Sequence, residues 1–281
     1  MKLLRYGPPG EEKPGILDTE GAIRDLWDHV GDITGDTLGA ESLARLRDID
    51  PASLPVVAGE PRIGPCVGNV GKFVAIGLNY SDHAREAGMA IPDEPVIFTK
   101  ATSSISGPND AIVMPRGATK VDWEVELGVV IGGHAKYVDE VQALGTIAGY
   151  CVVNDVSERA FQLETSGQWV KGKSADTFGP IGPWLVTADE VPEPHNLSLW
   201  LEINGERAQD GSTRTMIFSV PYLVSFVSRY MSLQPGDIIT TGTPPGVGLG
   251  RSPPAYLKAG DVVTLSVEGL GTQRQEVVAA Y

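Results

Sequence analysis

The chain is short of basic residues, short of cysteine and free of long apolar runs, and each shortage removes a class of function. Lys and Arg number 22 against 36 Asp and Glu, a formal net charge of −14. Nucleic acid and anionic membrane surfaces both recruit a basic footprint, so neither is an expected partner. No stretch approaches the roughly 20 consecutive apolar residues that a bilayer-crossing helix needs. The opening MKLLRYGPPG breaks at proline and glycine before a signal-peptide core could form, which points to the cytoplasm. With only Cys66 and Cys151 there is no disulfide framework, and the expectation is two small buried thiols in a reducing compartment.

Glycine and proline, by contrast, are plentiful at 34 and 21 of the 281 residues, which suits a β-rich fold with long functional loops. KLLRYG and KPGILDTEGAIRDL read as short strands with a turn at Asp18–Gly21, and Glu41–Arg47 as a short helix. The proline-punctuated stretch that follows (Pro51, Pro55, Pro61, Pro65) reads as a linker, so residues 1–70 are expected to form a small N-terminal domain and 71–281 the main one. Strands are predicted at Phe73–Gly77, Pro95–Thr99, Asp122–Ile131, Ile147–Asn154, Leu197–Ile203, Asp237–Thr241 and Val262–Val267, a hairpin turn at INGERAQDG, and a helix over Ser219–Met231. Strands and helices do not alternate as repeated βαβ units would, so the fold class is β-rich α+β rather than a parallel doubly wound sheet.

Four acidic residues carry the chemistry. In VDWEVELGVVIG the apolar Trp123, Val125 and Leu127 alternate with Glu124 and Glu126, and a period of two places both glutamates on one face of a strand. Two carboxylates in so apolar a context repel each other and resist desolvation unless a cation sits between them. Asp155 closes the apolar IAGYCVVND and supplies a third oxygen ligand. All-oxygen donors select Mg²⁺, Mn²⁺ or Ca²⁺ over Zn²⁺, and three ligands leave coordination positions for water and substrate. The alternative is that the glutamates face solvent on an edge strand and Asp155 caps a helix starting near Ser157.

The fourth acid lies in NYSDHAREAG, where a helix capped by Ser81 would put His83 and Glu86 on one face. A carboxylate beside an imidazole raises its basicity, as deprotonating a water requires, although such pairs also decorate ordinary helix surfaces. Lys171 and Lys173 lie in a Gly- and Pro-rich loop, where a lysine could balance the carboxylates and contact an anionic substrate or simply be solvated. In TTGTPPGVGLG, backbone N–H groups and the Thr243 hydroxyl could hold a carboxylate, or the segment could be a stiff surface turn. The loop is not a P-loop, since the GK[ST] ending is missing.

Six segments, FVAIGLNYSDHAREAG, VIFTKATSSISGPND, VDWEVELGVVIG, GYCVVNDVSERAFQ, KGKSADTFGPIGPWLVT and IITTGTPPGVG, together resemble the fumarylacetoacetate hydrolase family in its smaller bacterial form, from Gly71 to the C-terminus. The resemblance implies a rolled mixed β-sheet core with a small N-terminal α/β subdomain, and a homodimer. It places Mg²⁺ or Mn²⁺ on Glu124, Glu126 and Asp155, and the lysine of the family's GKS motif on Lys173. His83 and Glu86 match the dyad of a lid helix; Gln162, Thr177 and Thr243 match substrate-contact positions. Asp82 falls near a metal-ligand position of the eukaryotic enzymes and is assigned to the lid, because three carboxylates suffice in the small members. The eukaryotic N-terminal domain and its catalytic histidine segment are absent, which argues against fumarylacetoacetate itself as substrate.

The implied activity is metal-dependent hydrolysis of a C–C bond in a small anionic keto acid, a 2,4-diketo acid of acylpyruvate type. Among such substrates 2,4-diketo-3-deoxy-L-fuconate is the first specific candidate. Tautomerases, decarboxylases and ureidoglycolate-type lyases share the scaffold. A metal-binding protein without catalysis is the non-enzymatic alternative, disfavoured by the joint presence of His83, Glu86 and Lys173.

Overall fold

Two adjacent strands, Val125–Ile131 and Ile147–Asn154, are buried along their whole length, so their apolar residues cover both faces of the sheet they centre. The computed structural model describes residues 1–280 and shows a strand-rich α+β fold, 33% strand and 19% helix, built on open mixed sheets. The largest sheet has ten strands. Its main path runs Ile23–Asp25, Lys13–Leu17, Lys2–Tyr6, Gly179–Thr187, Ile147–Asn154, Val125–Ile131, Ile238–Thr240, Phe73–Gly77 and Val96–Lys100, with Ile105–Ser106 beside Gly179–Thr187. A five-stranded sheet of Glu206–Ser212, Ser198–Ile203, Val262–Val267, Gly271–Ala279 and Ile112–Met114 packs nearby, and the Ser198–Ile203/Glu206–Ser212 hairpin turns at Asn204–Gly205, both at positive φ.

The three N-terminal strands join the large sheet through antiparallel pairing of Lys2–Tyr6 with Gly179–Thr187. Leu3, Ile16, Leu26 and Leu46 share one apolar core with Val130, Cys151, Val153 and Ile238 of the sheet. Arg62 adds a polar tie, donating to Glu12 at 2.9 Å and to Asp110 at 2.7 Å. Cys66 and Cys151 are both buried and free, as the composition suggested. The helix Val220–Tyr230 is capped by the Ser219 hydroxyl and lays Leu223, Val224 and Val227 into the core on the opposite side.

Three local expectations need correction. The strand predicted over Asp122–Ile131 is interrupted at residues 123–124, because Val121–Asp122 pairs instead with Ser157–Glu158 in a separate two-stranded ribbon. Ser81 is the first helical residue rather than the cap of Ser81–Glu86; Tyr80 holds the cap position without a side-chain hydrogen bond. Asp155 caps no helix: Arg159–Leu163 is capped by Glu158, whose carboxylate accepts from Phe161 N at 2.7 Å. No described helix is long and apolar enough to cross a membrane.

Candidate active site

Strand register brings the carboxylates together. Val125–Ile131 and Ile147–Asn154 run antiparallel with Asn154 opposite Val125 and Val153 opposite Glu126. Extending that register one step sets Asp155 across from Glu124, and Asp155 N donates to Glu124 O at 2.9 Å. Although the strand itself begins at Val125, that pairing carries Asp155 beside Glu124 and two positions along from Glu126, and one oxygen from each of the three lies within 4.8 Å of the others. All three are buried, so the solvated edge-strand alternative does not hold.

Such a cluster demands compensation, and the fold provides three buried cations. Lys173 Nζ donates to Glu124 Oε2 and to Asp155 Oδ2, both at 2.6 Å. Lys100 Nζ donates to Asp155 Oδ1 at 2.6 Å, to Val156 O, and to the carbonyl of Lys173. Arg159 bridges Asp122 Oδ2 at 2.8 Å and Glu124 Oε1 at 2.6 Å, and its third nitrogen donates to Gln162 Oε1 at 3.0 Å. Burial raises the Glu124 pKa, but Arg159 and Lys173 more than offset it and hold the carboxyl at about 2. Burial likewise works against the charge on Lys173, yet Asp155 and Glu124 outweigh it and keep its pKa above the usual lysine value. For Lys100 burial prevails over the attraction of Asp155, and its pKa is lowered.

Four carboxylates thus face three cations, and the unbalanced one is Glu126. Its Oε2 accepts from Gly242 N at 2.9 Å and from the Thr240 hydroxyl, both neutral donors; no cation hydrogen-bonds it among the described residues. Burial, reinforced by the charges of Asp155 and Glu124, pushes the Glu126 carboxyl well above the ordinary glutamate value. A buried carboxylate denied a positive partner, beside two more hard oxygen donors, fits a divalent cation of the Mg²⁺ or Mn²⁺ kind.

Glu124, Glu126 and Asp155 lie in the wall of a cavity of about 440 Å³ that His83, Glu86, Gln162, Lys173 and Thr243 also line. His83 Nδ1 and Glu86 Oε2 are 3.1 Å apart, and Gly246 N anchors Glu86 Oε1 at 3.0 Å. The 240–250 loop does hold carboxylates, but they are the protein's own: Gly242 N serves Glu126, Gly246 N serves Glu86, and Gly248 N and Leu249 N serve Asp122. Thr243 lines the cavity while donating to Val125 O at 2.9 Å.

Thr177 is not brought to the site. Its hydroxyl accepts from Val113 N at 2.8 Å and it is absent from the cavity wall; its backbone takes φ 68° two residues before the Gly179–Thr187 strand begins. Lys171 is exposed and bonds Ser166 Oγ at 3.1 Å, the solvated behaviour expected of a loop lysine. Asp82 lies outside the cavity wall, accepting from His83 N and the Thr215 hydroxyl.

Sequence reading missed Lys100, Arg159, Asp122 and Thr240. Lys100 and Arg159 sit in segments already singled out, VIFTK and NDVSER, and the available signal was charge balance: three buried acids require buried cations nearby. Arg159→Met is expected to cost roughly 3–5 kcal/mol in denaturant unfolding, because Asp122 and Glu124 would be left buried without their shared cation. Unfolding within 1 kcal/mol of the unaltered protein would refute that role for the pair.

The family profile described as fumarylacetoacetate (FAA) hydrolase C-terminal matches residues 72–278, most of the chain. The chain belongs to the fumarylacetoacetate hydrolase family. A Burkholderia multivorans relative, whose name goes no further than hydrolase, is 66% identical over 281 residues, 100% of both chains. The fumarylacetoacetate hydrolase structure from psychrophilic Exiguobacterium antarcticum is 34% identical and superposes with a TM-score of 0.87 over 100% of both chains. Maleylpyruvate hydrolase from Sphingobium sp. SYK-6, solved with manganese(II) and pyruvate, is 26% identical with a TM-score of 0.84, again over 100% of both chains. The fold is therefore that of the family, and the acidic cluster offers three hard oxygen donors that could hold a divalent cation.

Proposed function

We propose that the protein is a divalent-metal-dependent hydrolase that splits an acylpyruvate into pyruvate and a carboxylic acid. The observation that carries this reading is the placement of one under-neutralised carboxylate cluster and one His–Glu dyad in the wall of a single cavity. The Mn²⁺- and pyruvate-bound maleylpyruvate hydrolase supports it by analogy of fold. A Mg²⁺ or Mn²⁺ ion held by Glu124, Glu126 and Asp155 would supply Lewis-acid polarisation of the α-keto acid.

The chain's own groups supply the rest. Glu86, fixed by Gly246 N–H, accepts a hydrogen bond from His83 Nδ1–H, which leaves the Nε2 lone pair as the base. His83 removes a proton from water, and the hydroxide oxygen bonds to C4 of the 2,4-dioxo acid. The C3–C4 bond then breaks, its electron pair stays on C3 as pyruvate enolate, and the new carboxylic acid departs. Lys173 lines the same cavity beside Glu124 and Asp155, and its ammonium would favour the transition state as that charge develops. The proton held by His83 returns to C3, giving pyruvate and closing the balance at one water consumed.

Pyruvate release from acetylpyruvate, assayed with Mg²⁺ or Mn²⁺ and again with EDTA, tests this directly. Metal-dependent release is the expected result. If the enzyme instead speeds the enol–keto conversion of oxaloacetate and frees no pyruvate from any acylpyruvate, the site is an isomerase and the hydrolase reading falls.

A further inference from the structure

The cavity changes character from floor to mouth. The charged groups of its floor are buried, with Glu126, Asp155 and Lys173 each at most 2% exposed, whereas the Glu86 carboxylate in the wall is exposed. Its apolar walls reach solvent: Met89 is 56% exposed, Leu163 47% and Leu249 38%. Between the two lie Phe98 and Trp169, packed edge to face with centroids 5.3 Å apart, and Lys173 Nζ sits 5.1 Å from the Phe98 ring on the floor side. Gly77 makes room for this pair, since a Cβ there would lie 2.6 Å from the Trp169 ring.

What the mouth lacks matters as much. Among the described lining residues the cationic side chains are Arg159 and Lys173, and both are committed to the floor, Arg159 to Asp122 and Glu124, Lys173 to Glu124 and Asp155. The imidazole of His83 is engaged by Glu86. A second carboxylate at the far end of a substrate would find Met89, Leu163, Trp169, Leu249 and the like-charged Glu86, and would lose its hydration without a cationic partner. The hydroxyls of a diketo sugar acid would fare little better against the same surface.

Resting on the acylpyruvate reading above, we infer that the acyl group this enzyme accepts is an apolar chain or ring, bound by Phe98, Trp169, Met89 and Leu163, and that dicarboxylic and polyhydroxylated diketo acids are poor substrates. The sugar acid favoured by family resemblance is thereby displaced. An apolar acyl tail also covers side chains that are otherwise wet, which adds to binding with each methylene buried.

The test compares kcat/KM of the metal-loaded enzyme on acetylpyruvate, 2,4-dioxooctanoate and 2,4-dioxooctanedioate. Each methylene beyond acetylpyruvate should raise kcat/KM by about fourfold until the mouth is filled. The dioate should fall on the order of 10²-fold below the octanoate of equal length. A dioate cleaved as well as the octanoate overturns the proposal. Leu163→Arg, at a half-exposed helix position that tolerates charge, should narrow the gap by at least about tenfold by giving the distal carboxylate a partner; an unchanged ratio counts against the assigned wall. A binding arm separates this inference from the hydrolase reading: 2-oxooctanoate and 2-oxooctanedioate lack the 4-oxo group and cannot be cleaved. If no acylpyruvate is hydrolysed but calorimetry shows the monoacid binding at least about tenfold tighter, the apolar subsite stands and only the reaction is wrong. Equal or reversed affinities overturn the subsite itself.

Discussion

Replacing Glu126 by glutamine is expected to abolish metal-dependent turnover while leaving the metal-free protein as stable as before, or more so. The two effects have one cause. Glu126 is the carboxylate of the cluster that no cation touches among the described residues, so removing its charge breaks no ion pair. Glutamine keeps an oxygen for Thr240 and Gly242 and turns an N–H₂ toward the carboxylates of Glu124 and Asp155, replacing repulsion by a hydrogen bond. A divalent cation, however, loses one of its three anionic ligands, and turnover should drop by at least ~10²-fold.

The pH dependence follows from the direction of the Glu126 shift. Its folded pKa is raised above the ordinary value of 4.5 by burial and by Asp155 and Glu124. The folded state therefore holds a proton that the unfolded state has released, and metal-free stability declines as pH rises from 4.5 through the raised value. Glu124 acts in a separate window: its folded pKa of about 2 means stability that is present above 4.5 and lost as pH falls toward 2. Thermal melts across pH should show the decline above pH 4.5 in the metal-free protein, its removal by saturating Mn²⁺, and its absence in Glu126→Gln. Full Mn²⁺ affinity and turnover in Glu126→Gln would end the metal assignment.

The second large effect is expected at His83. Substitution by alanine should lower kcat by ~10²–10⁴-fold, the usual scale for losing a general base, with Mn²⁺ binding and 2-oxo acid binding retained. Structure should survive, because Glu86 stays tethered to Gly246 N–H and the helix Ser81–Glu86 keeps the Asp82–Thr215 hydrogen bond. A kcat within tenfold of the unaltered enzyme would remove His83 from the mechanism and leave the dyad a surface pair.

Much of the site was legible because its residues lie close together in the chain or obey a short period. Glu124 and Glu126 follow from strand alternation, His83 and Glu86 from helical spacing, and Asp155 from its place at the end of an apolar strand. Ile147–Asn154, Phe73–Gly77 and Val262–Val267 have the boundaries that periodicity assigns them. The break at residues 123–124 was not legible, since the alternation runs unbroken through Trp123 and only the pairing of Val121–Asp122 with Ser157–Glu158 diverts the strand.

Local pattern, then, determined which acids could act together and on what elements they ride. Tertiary structure alone decided how their charge is met. Lys100 reaches Asp155 across 55 positions, and Thr240 reaches Glu126 across 114. Such pairings depend on sheet order and register, which arise from burial summed over many strands rather than from any short stretch of sequence. The same long-range packing leaves Glu126 short of a cation, withdraws Thr177 from the cavity, and lines the mouth with apolar side chains drawn from four separated segments.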